Sequence, residues 1–196
     1  GPRIRAMPET LPLFPLHAVL VPGGALDLRV FEPRYLDLVR ECGRTGRGFG
    51  VCLIAQGREA GAPAMPVDCG TEAVIEDFGS GPDGLLQLRL RGQRRFGVLS
   101  TRVRDNGLVE AQVAWRAPDP ADRLRPEHAL LGEVLRRILE QVGDGGTRAP
   151  EERFDEAAWV GWRLAELLPL QPRQRQRLLE EDDPARRLDE LLRLLS

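Results

Sequence analysis

The chain contains no lysine: all 28 of its basic residues are arginine. That absence removes several chemistries at once. A nucleotide-binding P-loop needs a lysine to reach the β/γ-phosphates. A Ser–Lys dyad and a lysine Schiff base are excluded on the same ground. Other reactive side chains are scarce, with serine only at Ser80, Ser100 and Ser196 and histidine only at His17 and His128. The three cysteines, Cys42, Cys52 and Cys69, are odd in number and widely spaced. They make neither a disulfide framework nor a zinc ligand set, and they suit a reducing cytosol. No apolar run approaches the ~18 residues of a transmembrane helix. The net charge of −2 supplies no general attraction to nucleic acid or to an anionic membrane.

What is present is enough to fold. A chain of 196 residues buries roughly 70% of its unfolded surface and needs no covalent staple. Residues 1–6, Gly1-Pro2-Arg3-Ile4-Arg5-Ala6, lack the apolar core of a signal peptide and are expected to be a vector-derived remnant before a start at Met7. The stretch Leu11–Glu41 then reads as strand, turn, strand and helix. Pro22-Gly23-Gly24 reverses the chain, and Leu26, Leu28 and Val30 alternate with polar residues. Pro33 suits the first position of a helix, where a missing N–H costs nothing.

Further strands are expected at Phe49–Ala55, Glu72–Phe78, Leu85–Arg91, Arg94–Arg104 and Val109–Trp115, with a loop over Gln56–Gly70. Asp105-Asn106-Gly107 has the composition of a hairpin turn. From Ala117-Pro118 the periodicity changes from two to three and four. Helices are expected over Pro126–Val142, Phe154–Leu168, Pro172–Glu181 and from Asp183-Pro184 onward. In the last of these, Leu188, Leu191, Leu192 and Leu195 form one stripe. Trp162 lies off the leucine stripe of its own helix, so partial exposure is expected. The class is therefore α+β, with a β domain over residues 7–117 and a helical subdomain over residues 118–196.

Motifs with chemical meaning are few. Gly79-x-Gly81-x-x-Gly84 has the letters of a dinucleotide fingerprint, but a strand follows it rather than a helix. No helix N-terminus would then face a pyrophosphate, so a hairpin loop is expected. His17 and His128 belong to no metal-binding spacing and read as surface or structural residues. No metal site and no cofactor is expected. Glu76 and Asp77 are the least favoured suggestion of acid–base chemistry, in a cleft between strands and helices. Arg89, Arg91, Arg94, Arg95, Arg102 and Arg104 form the densest basic stretch. They read first as a solvated sheet face, and second as a phosphate-tracking patch for nucleic acid.

The segments LPLFPL (Leu11–Leu16), VLVPGGALDLRVFEPRYLDLV (Val19–Val39), FGVCLI (Phe49–Ile54) and GTEAVIED (Gly70–Asp77) resemble the N-terminal, substrate-binding domain of the Lon protease family, which is also found in cereblon. RRFGV (Arg94–Val98), NGLVEAQVAW (Asn106–Trp115) and the helical WVGWRLAELLPL (Trp159–Leu170) extend the likeness. It implies a PUA-like β pseudobarrel followed by an α-helical bundle. It further implies a free-standing bacterial, cytoplasmic module without ATPase or peptidase chemistry. Such a module would bind exposed apolar or unfolded polypeptide segments or act as an adaptor. The contact residues expected on this ground are Phe31, Pro33 and Tyr35. The alternative is RNA binding by the arginine-rich strands, since PUA-like folds elsewhere read RNA. No membrane partner is expected, and the oligomeric state stays open.

Overall fold

A computed structural model describes residues 8–56, 65–142 and 149–196. The expectations for Gly1–Ala6 and for a start at Met7 lie outside the described residues, as does residue range 57–64 of the expected loop. The chain divides into two compact units, Gly1–Ala117 and Pro118–Ser196.

The first unit holds strands β1 (Glu9–Leu16), β2 (Ala25–Val30), β3 (Phe49–Gln56), β4 (Met65–Ser80), β5 (Leu86–Val103) and β6 (Val109–Trp115), with helix α1 (Pro33–Thr45) after β2. They form one six-stranded sheet in the order β2-β5-β4-β3-β1-β6, and β5 also pairs with β6. β5 is the strand that makes closure happen. One edge follows β4, while the other pairs with β2 over Leu86–Arg91 and then with β6 over Phe96–Val103. Five strands therefore return on themselves. β2 is left with a single strand neighbour among the described residues. β1 and β3 run parallel, joined by the crossover through β2 and α1.

Two strand boundaries differ from those expected. β4 begins at Met65 rather than Glu72, because register shifts in its pairing with β3, where Ile54 faces Pro66 and Gln56 faces Met65, absorb residues whose composition suggests a loop. Leu85–Arg91 and Arg94–Arg104 are one strand rather than two. Gly92 maintains continuity by donating to Gly24 O at 2.8 Å while its own carbonyl accepts from Gly23 N at 2.9 Å. The Pro22-Gly23-Gly24 turn thus holds β5 at the point where it changes partner. The Gly79–Gly84 segment is a hairpin loop between β4 and β5, with Gly84 at φ +78°. That geometry excludes the fingerprint reading.

Inside the sheet, Phe14, Leu16, Val30, Tyr35, Leu38, Phe49 and Leu90 make one apolar cluster. Leu11, Leu13, Cys52, Phe96 and Val113 make a second. Burial suppresses the thiolates: Cys42 is pushed up to about 11, and Cys52 is raised further, with Cys69 and Asp68 adding to the effect. These thiols are packing groups rather than nucleophiles.

The second unit contains a 3₁₀ turn at Pro126–His128 running into α2 (Ala129–Val142), then α3 (Ala157–Leu167), α4 (Pro172–Glu180) and α5 (Pro184–Leu195). Phe154 lies in a separate 3₁₀ turn, Glu151–Asp155, so α3 starts later than its apolar pattern suggests. Asp183 caps α5 by accepting from Ala185 N at 2.9 Å. Leu188 and Leu191 are fully buried, whereas Leu195 is exposed and Leu192 only half-buried. The stripe therefore frays over the last turn.

Trp162 is buried at 5% exposure, against the expected partial exposure. The reason is Arg187, itself 0% exposed, whose guanidinium lies 3.5 Å from the Trp162 ring centre. Asp119 joins the pair by accepting from Trp162 Nε1 at 2.7 Å and from Arg187 Nη2 at 3.1 Å. An arginine on the helical pattern reads as solvent-facing; here it completes a core.

Candidate functional site

The site starts from the segment Phe31-Glu32-Pro33-Arg34-Tyr35. Pro33 occupies the first turn of α1, and Glu32 is the extended residue before it. This abrupt change from β2 to helix sends alternate side chains in opposite directions. Phe31 is 57% exposed, while Arg34 and Tyr35 are buried. Tyr35 stacks on Phe14 with ring centres 3.9 Å apart and planes 10° from parallel. Arg34 is fixed by an ion pair to Glu32 at 2.9 Å and by donation to Gly107 O at 3.2 Å. The motif is therefore a clamp between β2, α1 and the β5–β6 hairpin. Sequence reading missed this role of Arg34 because a lone arginine at the start of a helix usually faces water.

Beside the clamp lies a groove of about 380 Å³. Leu26, Leu28 and Val30 of β2 line it, with Phe31 just after the strand, Phe14 and Leu16 of β1, and Tyr35 of α1. Asp27 and Arg29 border it as well. Since consecutive residues of a strand point to opposite faces, a groove touching all of 26 to 30 runs along the strand rather than over one face. Of the three contact residues expected, Phe31 and Tyr35 line the groove, with Tyr35 as a buried wall. Pro33 is exposed but does not line it. Leu28 was not singled out in sequence, although its alternation with Asp27 and Arg29 marked its face.

The arginine stretch does not form an open cationic track. Arg89 bonds Asp27 at 3.1 Å, Arg91 bonds Glu76 at 3.1 Å, and Arg94 bonds Glu72 at 3.1 Å. Arg94 also lies 3.6 Å from the Trp115 ring centre. Arg102 and Arg104 converge on Glu110, with Arg104 reaching Glu41 of α1 at 2.8 Å. Arg95 is buried. Each of the exposed guanidiniums is thus already beside a carboxylate, which is poor preparation for phosphate. Glu76 and Asp77 are both exposed on β4, and Glu76 is held by Arg91, so they form no enclosed acid–base pair. His17 is exposed, and His128 is buried with Nε2 2.7 Å from Asp189 Oδ1. Among the described residues, no group of three or more His, Cys, Asp or Glu side chains could hold a metal ion. No helix there is long and apolar enough to cross a membrane.

The Glu110 cluster has a consequence for acid stability. Its hydrogen bonds from Arg104 and Arg102 hold the Glu110 carboxyl below the usual carboxylate range. A lowered folded-state value means the contribution is present above the ordinary value and lost as pH falls through the lowered one. Glu110→Gln is therefore expected to be less stable than the parent at pH 7. Their difference in urea unfolding should shrink as pH drops below about 4.5.

Residues 10–196 match the ATP-dependent protease La (LON) substrate-binding domain. The chain belongs to that family. It is 30% identical to a Lon protease of Roseiflexus castenholzii over 96% of its own length and 24% of that protein. A Lon protease of Cytophaga hutchinsonii is 23% identical over 96% of this chain and 24% of that protein. Cereblon of Gallus gallus is 28% identical over 54% of this chain and 23% of that protein. The chain thus spans about a quarter of the length of these relatives. Among solved structures, a Lon N-terminal domain protein from Xanthomonas campestris is 59% identical with a TM-score of 0.79, covering 94% of this chain and 97% of that one. The N-terminal domain of a Mycobacterium avium complex Lon protease shares the fold at 15% identity, with a TM-score of 0.67 over 94% of this chain and 96% of that one. The Lon N-terminal fold accounts for a sheet-rich first unit and helices at the C-terminal end. Within these 196 residues stands the LON substrate-binding domain, without a protease or ATPase domain.

Proposed function

We propose that this chain is a non-catalytic, cytoplasmic polypeptide-binding module that captures exposed apolar segments of unfolded proteins, alone or as an adaptor, through the groove beside Phe31. The observation that carries this reading is a large aromatic side chain left 57% exposed in a groove lined mainly by apolar residues. Family membership supports a protein substrate. The sheet closed through β5 supports a PUA-like pseudobarrel as its framework.

The test is fluorescence anisotropy with reduced, carboxymethylated α-lactalbumin as the unfolded ligand. Burying a phenylalanine against an apolar segment is worth roughly 1.5–3 kcal/mol. Phe31→Ala should therefore weaken binding by about tenfold or more. Because Phe31 is exposed, the unfolding free energy should change by no more than about 0.5 kcal/mol. Unchanged affinity in a folded Phe31→Ala protein would remove the groove from the account.

A further inference from the structure

Among the described residues β2 has one strand neighbour, β5, and the groove follows it. The backbone groups that alternate away from β5 over Leu26–Val30 are a template for another strand. We infer that the groove takes its polypeptide as an added β-strand, antiparallel to β2, with apolar residues facing Leu26, Leu28 and Val30, an acidic residue opposite Arg29 and a basic residue opposite Asp27. This inference rests on the groove being the polypeptide site and specifies the class of segment that enters it.

Charge supplies the pattern. Arg29 and Asp27 are 62% and 69% exposed in their side chains, on the face of β2 opposite to its leucines. Each has an intramolecular partner, Asp83 at 2.5 Å and Arg89 at 3.1 Å. Those are surface pairs, which are worth little and share their charge readily with a newcomer. Residues directly opposite across an antiparallel ladder interact, and like charges there repel. A segment reading apolar-acidic-apolar-basic-apolar from its N-terminus therefore matches residues 30 to 26 in turn. The same segment with its charges exchanged does not. Phe31 follows this register directly and lines the groove together with Tyr35.

Labelled peptides TVELRVT and TVRLEVT test the inference on the full chain. TVELRVT should bind about tenfold more tightly, since exchange turns two attractive cross-strand pairs into two repulsive ones. In D27R/R29E, with its fold checked by circular dichroism, the preference should invert. N-methylation of TVELRVT gives the decisive readout. A strand in a ladder directs alternate N–H groups to its neighbour. Methylation on one alternate set should thus cost at least tenfold, and on the other set less than twofold. Equal tolerance at both sets would overturn strand addition in favour of side-chain capture, while leaving polypeptide binding intact. Failure of both peptides, with carboxymethylated α-lactalbumin still bound through Phe31, would do the same. A dimer in sedimentation that TVELRVT does not dissociate would assign the edge to a second copy, and also overturn the inference.

Discussion

An Asp119→Ala variant is expected to lose about 3–5 kcal/mol of stability in the helical unit, close to the whole margin of a small domain. The size follows from what is left behind. Arg187 is 0% exposed, and Asp119 is its carboxylate partner at 3.1 Å. Its Nη2 also donates to the Glu181 carbonyl, at 2.6 Å, and its guanidinium lies against Trp162. Carbonyl and ring contacts orient a cation but do not neutralise it. Removing the carboxylate takes the Asp119 charge away from a buried guanidinium and the 2.7 Å acceptor away from the Trp162 N–H. Asp119→Asn retains an acceptor and should fall between parent and alanine. Urea unfolding followed by far-UV circular dichroism at 222 nm, which reports the helices, measures all three. Equal stability of parent and alanine variant would mean that Arg187 does not depend on Asp119.

Gly92→Ala should be the most damaging single methyl in the β unit, at about 3 kcal/mol. A Cβ there would lie 2.2 Å from the Val21 carbonyl oxygen and 3.0 Å from its carbon. Backbone cannot rotate away as a side-chain end can. Either the Pro22-Gly23-Gly24 turn or β5 must move, and the turn is bonded to Gly92 in both directions. The displacement therefore reaches β2, the strand that carries the groove. Loss of polypeptide binding should accompany loss of stability in this variant, whereas Phe31→Ala separates the two. Urea unfolding and the anisotropy assay on the same sample make the comparison.

Much of the architecture was legible because period-two and period-three-to-four patterns meet once, near Ala117-Pro118. The turns Pro22-Gly23-Gly24 and Asp105-Asn106-Gly107 carried their own chemistry. The strand after Gly84 was enough to reject a dinucleotide site. What escaped were features made by tertiary contact. Gly92-Gln93 reads as a break, and its pairing with β4 together with the bonds to the turn makes β5 continuous. Nothing in the local sequence marks Arg187 or Arg34 as interior, and their pairing with Asp119 and Glu32 comes from the fold. The candidate groove was legible in part, through the family resemblance. Phe31 and Tyr35 were marked by the FEPRY element. Leu28 and the position of β2 at the end of the strand order among the described residues depend on which strands pair, and periodicity does not encode pairing order.

The central claim is that unfolded polypeptide is held along β2 beside Phe31, and hydrogen exchange tests it most directly. Amide exchange should be followed by mass spectrometry with and without saturating carboxymethylated α-lactalbumin. The account predicts new protection concentrated in peptides covering Ala25–Tyr35, and its loss in Phe31→Ala. Protection confined to Arg89–Arg104 or to α2–α5, with Ala25–Tyr35 unchanged, would contradict it.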